Sequence, residues 1–327
     1  MRTTAGLLVV LLSIYVALGS YYWLGWPGYL RLGLAFLAVP VLVGLWFIPG
    51  RGRVARRVGS VGLMIIFFST YFTKSPVPQD WVPLHAEEAE VHINGSEATI
   101  TNFRDAVHRV GVASQPRWVT TSYDLDKLES AQLILQPFGQ SVATVHVMTT
   151  FRFTDGRYLA VSVEARRTSW THFDMLSGFF RHDQLYVVLG TERDVLWKRL
   201  AHLPPNDLYF FEFTRSSDEI RRYLETLLRF TEDIHEKPVF YSTATESCFT
   251  TLLRLSPRFD NLVPWYDPRR WLPGDSVSLF QQLDLVDNSV STQELIERGK
   301  LQSGISPPWD FPDEKAWSRY LHGKIGQ

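Results

Sequence analysis

Cys248 is the only cysteine in the chain and the strongest nucleophile the sequence offers. It follows the polar stretch from Tyr241 to Ser247 and opens an apolar helical pattern at Phe249, Leu252, Leu253 and Leu255. Thr245 or Ser247 can cap that helix, which sets Cys248 in its first turn. Free backbone N–H groups and the positive end of the helix dipole stabilise a thiolate there and lower its pKa. The competing reading is a buried, inert thiol packed as a small apolar side chain. With a single cysteine, an internal disulfide is excluded, and an unpaired thiol in an oxidising space has to be buried or used.

A thiolate nucleophile needs a base. Of the nine histidines, His146 is the best placed. It shares one face of a strand with Met148 and Thr150, while Val145, Val147, Phe151 and Phe153 take the other. Thr154-Asp-Gly-Arg157 then turns the chain back into Tyr158 to Glu164, and Asp-Gly marks a hairpin. Glu164 is the candidate to orient the imidazole. An undisturbed two-residue turn, however, sets Glu164 opposite Val147 and away from His146, and only a bulge would reverse that parity. A lone strand histidine is otherwise a satisfied or surface side chain.

Other chemistries are poorly supported. His172, Asp174, His182 and Asp183 form a loose cluster without ligand spacing on one element, and read as solvated loop residues. His235-Glu236 begins a zinc-helix pattern, but Val239 stands at the second histidine position and Pro238 would break the helix. No glycine-rich phosphate loop and no serine elbow is present. Neither a metal nor a cofactor is expected, and nothing calls for nucleic acid.

The elements that must position these residues are mixed. Short strands are expected on either side of Asn94-Gly95, at Trp118–Tyr123, Gln132–Leu135, Leu185–Leu189 and Leu208–Phe213, beside the hairpin. Helices are expected at Glu192–His202 and Ser217–His235, the second opened by a capping box at Ser216 and Glu219. Strands followed by helices indicate an α+β domain. Trp265, Trp271, Trp309 and Trp317 belong either to its core or to a surface resting on a membrane interface.

Composition explains where such a domain sits. The whole chain is 45% hydrophobic with a net charge of −1, which suits an ordinary soluble protein, but the apolar residues are not evenly spread. No charge interrupts Ala5–Trp26 or Leu32–Pro49, and a third apolar run continues from the arginines near Arg57 to Phe72. Three transmembrane helices are expected, at roughly 6–25, 30–49 and 55–72. The cluster from Arg51 to Arg57 and Arg2 mark the cytoplasmic side, whereas Tyr21, Tyr22, Trp23 and Trp26 suit an outer interface. Residues 1–74 then form an anchor. Residues 75–327, opened by Ser75-Pro-Val-Pro78, are expected to form one soluble domain outside the cytoplasm. Ala17-Leu-Gly19 has the small residues of a signal-peptide cleavage site, but the apolar runs after it would keep the protein anchored.

Several stretches taken together resemble one bacterial family. They are Ile100-Thr-Asn-Phe-Arg-Asp105, Ser122-Tyr-Asp-Leu125, His146 with Phe151–Gly156, Val161-Ser-Val-Glu-Ala-Arg-Arg167, and Tyr241 through Cys248-Phe-Thr-Thr251. The family is that of the periplasmic N-terminal domain of the Lnb lipoprotein N-acyltransferases. The resemblance implies a circularly permuted papain-like thiol fold, with the histidine strand first and the cysteine helix last. It implies acyl transfer at the outer face of the inner membrane, from a membrane phospholipid and possibly to a lipoprotein acceptor. On that basis Cys248 is the nucleophile, His146 the base and Glu164 the orienting group. Asn102, Arg104, Arg166 and Tyr241 match recurring family positions and are expected to bind substrate or support the site. Ser242 and Ser247 stand where asparagines are usual. A cysteine hydrolase using water as acceptor, or an anchored binding module, are the alternatives.

Overall fold

The computed structural model describes residues 2–23, 27–138, 141–169, 174–202, 207–256, 263–264, 266–270, 274 and 276–326. The chain divides into two compact units, Met1–Val77 with Asp174–Gln184, and Pro78–Phe173 with Leu185–Gln327.

The first unit holds helices α1 (Arg2–Trp23), α2 (Gly28–Phe47) and α3 (Arg53–Thr73), packed through Val9, Val16, Leu42, Met64 and Phe67. Two of the three, α1 and α2, are long and apolar enough to cross a membrane. This corrects the expected three: α3 forms, but Arg53, Arg56 and Arg57 occupy its first turns, and the apolar remainder falls short of the roughly 20 residues a span needs. The later segment Asp174–Gln184 belongs with these helices. Phe180 packs its ring against Tyr15, with centroids 4.9 Å apart, and Arg181 donates to the Tyr71 carbonyl over 2.9 Å.

In the second unit, the described residues form one sheet of eight strands in the order β1-β2-β7-β6-β5-β4-β8, with β3 also paired to β2. The strands are β1 (Glu90–Asn94), β2 (Glu97–Arg104), β3 (Trp118–Asp124), β4 (Leu128–Phe138), β5 (Ser141–Phe153), β6 (Tyr158–Arg166), β7 (Gln184–Gly190) and β8 (Tyr209–Glu212). Helices α4 (Glu192–His202), α5 (Ser217–Glu236), α6 (Cys248–Arg254), α7 (Ser276–Gln282), α8 (Thr292–Gly299) and α9 (Glu314–His322) complete an α+β domain. Strand alternation divides the core into two. Val147, Phe151 and Phe153 of β5 join α5, α6 and α7 in one apolar cluster, while Met148 joins Val195, Leu196 and Trp197 of α4 and Trp317 of α9 in another. Trp317 is thus core, Trp309 is 42% exposed, and Trp265 and Trp271 lie outside the described residues.

One turn decides how the site is built. Between β5 and β6, Gly156 takes a left-handed φ of 82° and donates to the Phe153 carbonyl over 2.9 Å, while Phe153 donates to the Arg157 carbonyl over 3.0 Å. Asp155 Oδ1 accepts from the Arg157 N–H at 2.9 Å. This is a three-residue loop with a glycine bulge, and not the two-residue turn that Asp-Gly suggests. The extra residue shifts the register by one, so that Met148 pairs with Ser162. Two residues further along each strand, His146 and Glu164 fall on the same face. The expected mismatch between them is therefore overturned.

Candidate active site

His146 lies near the start of β5, opposite Gln136 of β4, and is 6% exposed. Its Nε2 is 2.8 Å from Ser162 Oγ and 3.0 Å from Arg199 Nη2 of α4. Ser162 Oγ donates to Glu164 Oε1 over 3.0 Å. The same Arg199 nitrogen donates to that carboxylate oxygen over 2.7 Å and to Ser162 Oγ over 3.2 Å, while its Nη1 donates to Gln136 Oε1 over 3.0 Å. Glu164 therefore reaches His146 through Ser162 and Arg199, with no direct hydrogen bond among the described residues. His85 stands on the other side of the carboxylate, its Nε2 3.6 Å from Glu164 Oε2.

Cys248 is the first residue of α6, behind Ser247 as N-cap. Ser247 Oγ accepts from the Thr250 N–H at 3.2 Å, and Thr250 Oγ1 accepts from the Ser247 N–H at 2.8 Å. The serine at this position thus completes a reciprocal cap. The thiol is 6% exposed and lies against β5 at Val147, the residue after His146; the Val147 backbone N–H works to stabilise a thiolate. Among the described residues no hydrogen bond joins the thiol to the imidazole.

Electrostatics correct one expectation outright. Burial pushes the Cys248 thiol up; the Val147 N–H, the Arg199 guanidinium and the Phe249 N–H pull the other way and lose. A seven-residue helix does not offset the loss of water around the sulfur. Burial, then Arg199, holds His146 well below the usual imidazole range, against Glu164. Burial works to raise Glu164, but Lys198, Arg199 and Arg104 outweigh it and keep the carboxylate ionised well below its usual range. Lys198 itself is drawn down by burial to about 8. At neutral pH the site holds a thiol, a neutral imidazole, a carboxylate and a guanidinium.

The other expected residues form a supporting frame. Asn102, at a left-handed φ of 56°, donates to the Glu88 carbonyl over 3.0 Å. Arg166 donates to the carbonyls of His85 over 2.9 Å and Ala86 over 2.8 Å and pairs with Glu88 at 2.8 Å. Both residues therefore fix the segment that sets His85 against Glu164. Arg104 is buried on Asp194, with Nε 3.0 Å from each carboxylate oxygen. Tyr241 is buried in the apolar cluster that also holds Cys248. Ser242 Oγ accepts from the Thr245 N–H at 3.2 Å.

Ser162, Arg199, Gln136, Lys198 and His85 were not singled out from the sequence. Ser162 was within reach of it: two residues from Glu164 on a strand, it must share that residue's face. Arg199 and Lys198 lie on a helix with charges on every side, where nothing in the spacing marks the inward ones. No group of three or more His, Cys, Asp or Glu side chains is arranged to hold a metal among the described residues. Asp183 is taken up by Ser177 at 2.6 Å and His182 at 2.9 Å, and His172 lies outside the described residues.

Residues 114–274 match the Lnb N-terminal periplasmic domain. Over these residues the chain is similar to that family. The Lnb match spans His146, Ser162, Glu164, Arg199 and Cys248, and leaves Asn102 and Arg104 before its start. With its two apolar N-terminal helices and this match, the chain is a membrane-anchored protein with a periplasmic domain. No curated protein and no solved structure matches it.

Proposed function

We propose that the protein is a membrane-anchored thiol acyltransferase working at the periplasmic face of the inner membrane, on a permuted papain-like thiol fold. Cys248 is the nucleophile, His146 the base, and Glu164 the group that balances the imidazolium. The observation carrying this reading is the bulged turn at Gly156, which brings Glu164 onto the face of His146, where Arg199, in contact with His146, also acts on the Cys248 thiol.

The reaction has two steps. The Cys248 thiol gives its proton to His146, and sulfur attacks the carbonyl carbon of a lipid ester. The C–O bond breaks, the alcohol leaves with the proton from His146, and a thioester remains on Cys248. An amine, such as the N-terminus of a lipid-modified protein, then displaces sulfur, forming an amide and returning the thiol. A resting pair of neutral thiol and imidazole fits this sequence, since the proton moves only as the ester is engaged.

A cavity of about 190 Å³ favours an acyl group over a peptide or sugar. Leu133, Val147, Ile220, Leu252 and Leu285 line it, together with Arg215, Glu219 and Arg222. Leu252 is one helical turn beyond Cys248 on the same side of α6. Burying an acyl chain against such side chains gains about 0.8 kcal/mol per methylene. Anchoring the domain raises the effective concentration of a donor that resides only in the bilayer.

The test is to incubate the detergent-solubilised protein with phospholipid and examine its intact mass. A hydroxylamine-sensitive acyl adduct, absent in Cys248→Ser and His146→Ala, is expected. Release of free fatty acid without dependence on an added amine would make the protein a hydrolase. No adduct in any form, with a thiol that resists alkylation while folded, would sink the catalytic reading.

A further inference from the structure

The contacts of His146 contain a conflict that the proposed reaction has to resolve, and this inference rests on that reading. A guanidinium only donates hydrogen bonds. Arg199 Nη2, 3.0 Å from His146 Nε2, therefore requires Nε2 to present its lone pair, and the neutral ring then carries its proton on Nδ1. A ring protonated on Nδ1 cannot take the thiol proton there, and Nε2 is occupied. The opposite tautomer is already provided for. Nε2–H would donate to Ser162 Oγ at 2.8 Å, and Ser162 Oγ already donates to Glu164 Oε1 at 3.0 Å. Only the edge of Arg199 stands in the way of that relay.

The groups facing the imidazole on every side bear this out. β4 contributes Gln136, which holds Arg199 Nη1 at 3.0 Å, and the Phe138 ring with its centroid 6.2 Å away. β6 contributes Ser162 and Glu164, α4 contributes Arg199 and the charge of Lys198, and the thiol of α6 lies beyond Val147. Among these, Arg199 alone touches His146, Ser162 and Glu164 together.

We propose that Arg199 is a positioning residue that latches the site at rest, holding His146 in its Nδ1–H tautomer. Withdrawal of the guanidinium toward Glu164 and Gln136 lets the Nε2–H···Ser162···Glu164 relay form. Nδ1 is then free to accept the Cys248 proton. No bond beyond these hydrogen bonds changes, and the ring exchanges one nitrogen-bound proton for the other through solvent.

Because Cys248 is the sole cysteine, the rate of iodoacetamide alkylation of the full-length protein reads this site alone. Wild type should react only as pH rises past the ordinary thiol range. Arg199→Gln should gain a shoulder at neutral pH, about tenfold faster than wild type, the equivalent of one pKa unit. Adding Ser162→Ala should abolish the shoulder, and Arg199→Lys should fall between wild type and Arg199→Gln.

The sign is decisive, because Arg199 also stabilises a thiolate at Cys248. If it serves only as that charge, Arg199→Gln will slow alkylation at every pH, and the latch is wrong. Nitrogen NMR of histidine-labelled wild type provides a reading independent of any variant's folding. An Nδ1–H resting tautomer at His146 supports the latch, and Nε2–H overturns it. Faster alkylation in Arg199→Gln with no lipid adduct in any form would leave the latch standing and sink the acyltransferase reading instead.

Discussion

Helices α4 and α5 flank the same sheet from opposite faces and bury opposite kinds of side chain. α5 turns Ile220, Leu224, Leu227, Leu228 and Ile234 inward and leaves its charges in water. α4 buries Glu192, Asp194 and Arg199 beside Val195, Leu196 and Trp197. A buried charge is tolerated only when paired and hydrogen-bonded, and each of these is. Glu192 accepts from Thr150 at 2.7 Å and meets His322 Nε2 at 2.9 Å. Asp194 holds Arg104 at 3.0 Å and the Ala106 N–H at 2.8 Å, with His108 Nε2 2.9 Å away. The α5 face supplies stability of the ordinary apolar kind. The α4 face gives some of that up for an interior able to hold His146 and Glu164 at defined positions.

The largest expected effect breaks this contrast directly. Asp194→Ala leaves Arg104 and His108 buried without their partner and should cost about 3–5 kcal/mol, read by chemical denaturation. Asp233→Ala, on the exposed side of α5, should stay within about 0.5 kcal/mol. Equal costs would mean that the buried charges of α4 are no more tightly coupled to folding than surface ones.

A difference in pH response follows. His85 and His146 both lie on or beside the α4 face, and burial holds both well below the usual imidazole range. The folded protein keeps them neutral, while the unfolded chain protonates them as pH falls through about 6.5. The unfolded state then binds more protons, so stability falls toward acid by about 1.4 kcal/mol per pH unit for each histidine. Glu164 and Asp194, held low in the folded state, add a further loss as pH drops below their unfolded values near 4. Cys248 has the opposite sign: its raised pKa removes stability as pH climbs above the ordinary thiol range. A denaturation series in which His85→Gln with His146→Gln leaves the slope between pH 7 and about 5.5 unchanged would contradict the assignment.

What the sequence reveals divides along the same line. α5 is legible because its apolar residues recur with the helical period and Ser216 and Glu219 announce its start. The hairpin of β5 and β6 is legible by alternation. The cysteine helix is too, but its burial is not, because exposure depends on what packs over α6 from far along the chain. The face of Glu164 is not legible, since Asp-Gly is compatible with both parities. Arg199 was invisible because a charged residue on a charged helix carries no mark of which way it points. The apolar half of α3 suggests a span that the arginines of its first turns count against.

The parity can be tested with a smaller change. Gly156 has room for a Cβ, the nearest atom being Lys315 Cδ at 3.9 Å, so Gly156→Ala should meet only the strain of a left-handed φ, about 1–2 kcal/mol. Because the bulge also sets the face of Glu164, deleting Asp155 should abolish the lipid-dependent adduct, provided the shortened protein still melts cooperatively. An adduct that survives would show that Glu164 contributes nothing through its register with His146.

The smallest effect is the most discriminating, because two helix caps of the same chemistry sit on the two helices that share the apolar face. Ser216 accepts from the Glu219 N–H at 3.3 Å at the start of α5, and Ser247 accepts from the Thr250 N–H at 3.2 Å at the start of α6. Replacing either by alanine should cost about 1 kcal/mol. Only the second opens the turn that carries the thiol. Ser247→Ala should therefore change the alkylation rate of Cys248 while Ser216→Ala leaves it at the wild-type value, both measured well below the melting transition. Loss of the cap lets water reach the sulfur and lessens the burial that now keeps the thiol protonated, so the expected direction is faster. If both variants match wild type, the thiol's resistance is set by the packing of Val147 and Phe249 around it and not by the order of the helix start.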